Sequence, residues 1–234
     1  MIPSQQPSEE QKEICYKIDQ CKKAIKSFLS PTSSDEENLK HLDFVVNIMP
    51  NELLNPKVLE KIITRYPKFL ETQNNYDLNL VFYAIELDRL NALETIITAK
   101  PQVLDIKNEF GVTPVFYAIN LDKLNALEVI LDIKQEALNQ KNLFGENLIL
   151  FSLRIYSNNP SDSNKKILKL IFNKQFGRDL QDEEIKNLVE FVDNYNFLKL
   201  FYHESGQEMF ANNFISILPT VLPQEAKFYR EISF

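Results

Sequence analysis

Glycine is scarce in this 234-residue chain, which has only four. That leaves little material for the glycine-rich turns of a β-sandwich or for a glycine-looped nucleotide fold. Tryptophan is absent, and cysteine and histidine occur twice each. Cys15 and Cys21 lie six apart on what reads as one helix, a poor disulfide spacing, and are expected to be small thiols of a reducing cytosol. His41 and His203 fit no metal-ligand spacing with cysteine, and the chain has no G-x-x-x-x-G-K phosphate loop and no G-x-S-x-G elbow. Neither a catalytic site, a metal nor a cofactor is therefore expected. The acidic runs SDEEN and QDEE fall at predicted helix starts, where they complement the macrodipole.

Positive charge is also in deficit. A net charge of -7 offers no footprint for nucleic acid or an anionic membrane surface. No apolar run approaches the roughly 20 residues that span a bilayer. The opening MIPSQQPSEEQKE is polar and acidic, unlike a secretory signal or a basic transit peptide, so a cytoplasmic type of protein is expected.

What the chain does contain is repetition. VFYAIELDRLNALE (Val81 to Glu94) returns as VFYAINLDKLNALE (Val115 to Glu128), 34 residues later. The similarity runs upstream at the same offset: VLEKIITRYPKFLETQN (Val58 to Asn74), ALETIITAKPQVLDIKN (Ala92 to Asn108) and ALEVILDIKQEALNQKN (Ala126 to Asn142) align. A further copy opens at NLFGENLILFSL, with Phe144-Gly145 repeating Phe110-Gly111. Its second half is delayed by the insert YSNNPSDSN, which places Asp162 in the slot of Asp88 and Asp122. The faintest copy begins at Phe176-Gly177, and its DNYNFLKLFY (Asp193 to Tyr202) echoes DKLNALEVIL.

Each unit reads as two short helices. Thr113-Pro114 opens the first, with a hydroxyl able to cap and a proline at the first helical position. Val115, Phe116, Ala118 and Ile119 form its buried face, and Asp122 supplies the tight turn in a left-handed conformation. Leu124, Leu127, Ile130 and Leu131 stripe the second helix. Neither helix is long enough to stand alone in water, so neighbours must supply the packing. Upstream, Ser8 with Gln11 and Ser34 with Glu37 are capping-box patterns, and Ile14, Ile18, Cys21, Ile25, Phe28 and Leu29 share one face. Downstream, Met209, Phe210, Phe214, Ile217 and Leu218 fit a closing helix.

NEFGVTPVFYA (Asn108 to Ala118) resembles the D-x-x-G-x-T-P-L-H-x-A of ankyrin repeats, and DKLNALEVIL (Asp122 to Leu131) is similar to their G-H-x-x-V-V-x-L-L-L. The resemblance covers residues 40 to 172 and extends weakly to about 205. It implies an all-α, ankyrin-like helical repeat solenoid with N- and C-terminal capping helices. The corresponding division is 1–33 for the first helix and linker, 34–172 for the repeats, and 173–234 for a degenerate repeat and cap. The chain departs from the family at its histidine, which is Phe116 here and Phe82 or Leu150 in the neighbours. It departs again at the glycine ending the first helix, which is Asp88 or Asp122.

Ankyrin proteins bind partners on a concave face of turn tips and first-helix surfaces. Carried over by position, the tips include Tyr76, Glu109, Phe110 and Phe144, and the helix positions Tyr83, Glu86, Leu87, Tyr117, Asn120, Leu121, Phe151 and Arg154. Tyr76, Phe110 and Phe144 would form one aromatic row, and Tyr83, Tyr117 and Phe151 another. Such rows have the composition of a protein-binding hot spot, or they pack adjacent hairpins together. Residues 72 to 145 hold ten acidic and six basic side chains, a net of -4. A protein partner with apolar and some basic surface is therefore expected. The resemblance implies non-catalytic protein binding, with a secreted bacterial effector acting on a host protein as one setting. Two alternatives stand beside it: a small C-terminal catalytic module around His203, Glu204 and Ser205 with the repeats as adaptor, and a self-associating scaffold.

Overall fold

A computed structural model describes residues 8–31 and 34–199, the last nine of these as backbone alone. The described residues are helical, with no β-strand among them. The chain divides into two compact units, Met1–Glu109 and Phe110–Phe234.

In the first unit, α1 (Glu9–Leu29) begins with the full capping box: Gln11 N–H donates to the Ser8 hydroxyl, and Ser8 N–H to the Gln11 side chain. Ser34 caps α2 (Asp35–Ile48) in the same sense, accepting from Glu37 N–H. α3 (Pro50–Leu53) and α4 (Pro56–Arg65) both start on proline, where the missing N–H costs nothing. A 3-10 turn (Pro67–Glu71) leads to a loop, then α5 (Leu80–Glu86), α6 (Leu90–Ala99) and a second 3-10 turn (Pro101–Asp105). Phe28, Leu42, Ile62, Phe82, Ile85 and Leu93 are wholly buried. Each contributes roughly 1.5–3 kcal/mol by leaving water.

The second unit repeats the local pattern with the same lengths. α7 (Pro114–Asn120), α8 (Leu124–Ile133) and a 3-10 turn (Gln135–Asn139) match α5, α6 and their turn 34 residues on. Then α9 (Leu148–Asn158), α10 (Asp162–Phe176) and α11 (Asp182–Lys199) follow.

The turns inside the two clean copies end in one motif. Asp88 and Asp122 sit at φ 53° and 58°. Arg89 N–H reaches back to the Ala84 carbonyl at 2.8 Å, and Lys123 N–H to the Ala118 carbonyl at 2.9 Å. These are Schellman closures with aspartate in the place glycine usually takes. The expectation of a left-handed aspartate at both positions holds.

Several other expectations need correction. Thr113 precedes α7 but its hydroxyl does not cap it; it donates to the Gln140 side chain at 2.6 Å instead. Asp162 is not a turn residue. α9 extends to Asn158, and Ser161 caps α10, so Asp162 becomes that helix's first residue. Asp193 does not break the chain either, because α11 continues to Lys199. Gly177 is left-handed at φ 70°, but it ends α10 rather than opening a tip. On α1, Ile14 and Leu29 are exposed. The helix packs against α2 and α4 and buries only Cys21, Ala24 and Phe28. His203, Glu204, Ser205 and the closing helix proposed around Met209 to Leu218 lie outside the described residues.

Candidate protein-docking surface

The loops before α5 and α9 are each organised by one asparagine. Asn74 Oδ1 accepts from the N–H groups of Tyr76 and Leu78 at 2.9 and 3.0 Å. Asn142 Oδ1 accepts from those of Phe144 and Glu146 at the same two distances. The main chain closes beneath, Asn74 N–H to the Leu78 carbonyl and Asn142 N–H to the Glu146 carbonyl, both at 3.0 Å. Asparagine does this well because its short amide imitates a backbone turn. At the apex Asp77, Gly111 and Gly145 take φ of 54°, 68° and 74°. The residue just before each apex, Tyr76, Phe110 or Phe144, stands exposed.

Within the first unit, Tyr76 stands 61% exposed on such a tip. Glu86 and Leu87 are exposed at the end of α5, and Glu109 is exposed at the end of the unit. Tyr83 is different. Its ring is half-buried, and its phenol oxygen accepts from Asn74 Nδ2 at 2.7 Å. Burial pushes the Tyr83 phenol above its ordinary value. Gln73 Nε2 donates to the carbonyls of Asp77 and Lys107 at 2.5 and 2.8 Å, linking two loops that are 34 residues apart.

Within the second unit, Phe110 and Phe144 are 70% and 57% exposed. Leu143, on the same tip as Phe144, is 64% exposed, and its side chain lies directly over Gly111, where a Cβ would come within 2.5 Å of it. Phe110, Leu143 and Phe144 thus gather at neighbouring tips, with Leu121 and Asn120 exposed at the end of α7. Tyr117 is half-buried.

The helix row fails at Phe151, which is only 6% exposed. Its ring packs edge-on against Phe116, with centroids 5.1 Å apart and planes at 89°. The Arg154 guanidinium covers it at 5.0 Å. The aromatic pair is therefore core, where Phe151 was expected at the surface. Arg154 is likewise committed, since Nε and Nη2 grip the Glu146 carboxylate at 2.8 and 2.9 Å. Glu146 in turn accepts from Asn142 Nδ2 at 2.7 Å. In this loop a carboxylate takes the part that Tyr83 plays beside Asn74.

Among the described residues, no group of three or more His, Cys, Asp or Glu side chains is placed to hold a metal ion. Cys15 is exposed and Cys21 buried, both unpaired, and burial followed by the charge of Glu52 pushes the Cys21 thiol up. No helix among the described residues is long and apolar enough to cross a membrane. One feature had no signal in the repeat pattern: an open groove of about 840 Å³ between α4 and α6, lined by Leu59, Ile63 and Leu90. Comparison with protein-family models, curated proteins and solved structures yields no match to this chain.

Proposed function

We propose that the chain is a non-catalytic protein-binding module of ankyrin-like repeats, docking its partner on the hairpin tips rather than on the first-helix faces. The observation that carries this reading is the cluster of Phe110, Leu143 and Phe144, three large apolar side chains at 70%, 64% and 57% exposure. Single exposed apolar residues are ordinary on a protein surface, but neighbouring ones held on ordered turns cost solvation unless something covers them. Within the same unit, Leu121 would add to the contact and Asn120 would tune it. The partner carries apolar groups with some basic residues, in keeping with the net -4 over residues 72 to 145. A reducing cytosol is the proposed setting, that of the producing cell or of a host.

The test is a triple change, Phe110→Ala, Leu143→Ala and Phe144→Ala, compared with wild type in affinity capture and in thermal unfolding. Melting close to that of wild type together with loss of the captured proteins is the expected result. Unchanged capture by the folded triple variant would place the site elsewhere.

A further inference from the structure

We propose that the groove between α4 and α6 of the first unit is a second docking site, and that it takes an amphipathic peptide segment whose apolar anchors are flanked by lysine or arginine. The groove follows α4 from Pro56 to Thr64, most of a helix about 15 Å long, which favours an extended occupant over a compact one. Its volume of about 840 Å³ lies in the range of ligand clefts, about 300–1,000 Å³. Ile63 and Leu90, both half-buried, make its apolar part above the buried Leu59. Pro56, Glu60, Ile63 and Thr64, three and four apart on α4, share that face, a spacing that matches side chains along a helix.

Charge decides the chemistry of the flanks. Glu52, Glu60 and Asp88 line the groove against a single cation, Arg89. No lysine or arginine among the described residues forms an ion pair with Glu52 or Glu60. An occupant with two basic residues beside its anchors would balance that excess, whereas an acidic one would add to it. This site shares no residue with the tips.

The test uses a fluorescein-labelled, 14-residue synthetic peptide with leucines three and four apart and lysine elsewhere, and a control with glutamate replacing lysine. Fluorescence anisotropy against the full chain should show the lysine peptide binding at least tenfold more tightly. Glu60→Lys should weaken it about fivefold or more. Thr95→Trp, which fills the groove from its exposed rim, should weaken it tenfold or more. The pair Phe110→Ala and Phe144→Ala should leave it unchanged, which separates this site from the tips. Equal binding of both peptides, or affinities within twofold for Glu60→Lys and Thr95→Trp, would overturn the proposal. Should Thr95→Trp fail to fold, Glu60→Lys alone decides, because Glu60 is exposed. A concentration-dependent dimer in light scattering that Thr95→Trp abolishes would identify the occupant as a second copy, and would equally overturn it.

Discussion

The phenol oxygen of Tyr83 and the side-chain amide of Asn74 are joined by a 2.7 Å hydrogen bond, which ties the face of α5 to the loop that presents Tyr76. Asn74 is 6% exposed, so water cannot readily replace the bond. Tyr83→Phe should therefore cost about 1–3 kcal/mol, the penalty for stranding a buried donor. Tyr83→Ala should cost more, because it also empties half-buried space. Urea unfolding of the two variants measures both. Stability equal to wild type in Tyr83→Phe would return Tyr83 to the free surface where the repeat pattern puts it.

Gly111 and Gly145 share a left-handed conformation but not their surroundings. A Cβ on Gly111 meets Leu143 at 2.5 Å, whereas one on Gly145 meets nothing within 4 Å. Either alanine should cost roughly 1–2 kcal/mol in left-handed strain. Leu143 is exposed and its side chain can swing aside, so the clash adds little to stability and much to position. Gly111→Ala should shift the Leu143 methyl resonances and weaken partner capture at the tips, while Gly145→Ala leaves the resonances in place. Matching methyl spectra for the two variants would show that Leu143 is not held over Gly111.

Asp77 occupies the same apex without being glycine, at φ 54°. Relief of left-handed strain, roughly 1–2 kcal/mol, exceeds the added chain entropy of glycine, roughly 0.5–1 kcal/mol. Asp77→Gly should stabilise the chain by a few tenths of a kcal/mol or more, and Asp77→Val should destabilise it. Asp122→Gly should show no such gain, because the Asp122 carboxylate also accepts from the Ser163 hydroxyl across to α10. Denaturant midpoints for the three variants give the ranking.

What the sequence made legible was periodic. Leu93/Leu127, Ile96/Ile130 and Asp88/Asp122 each recur at 34 residues because each copy builds the same helix pair and the same turn. The helices, the left-handed aspartates and the exposed tip residues Tyr76, Phe110 and Phe144 follow from that. Phe151 departs from that pattern because position alone does not reveal burial: the Phe116 ring gives it an apolar surface to cover. Asn74 and Asn142 belong to a 34-residue series visible in the sequence, but spacing alone does not show that their side-chain amides organise the turns. The groove beside α4 depends on how two helices pack, which no single repeat encodes.

Asp182 begins α11 and receives two ammonium groups from α10, Lys165 Nζ and Lys169 Nζ, each at 2.7 Å. Those hydrogen bonds hold its carboxyl down at about 2, against an ordinary 3.8. Because the folded value lies below the unfolded one, the contribution is complete above about pH 4 and fades as the pH falls towards 2. Its size is small, since Asp182 is 66% exposed and water and salt screen the pair. Asp182→Asn should be slightly less stable than wild type at pH 7, and the difference should shrink between pH 4 and pH 2 as wild type loses what the variant never had. Added salt at pH 7 should shrink it too. Denaturant midpoints of both chains across that range test the assignment, and a gap that stays constant with pH would mean the lysine pair contributes nothing that titrates at Asp182.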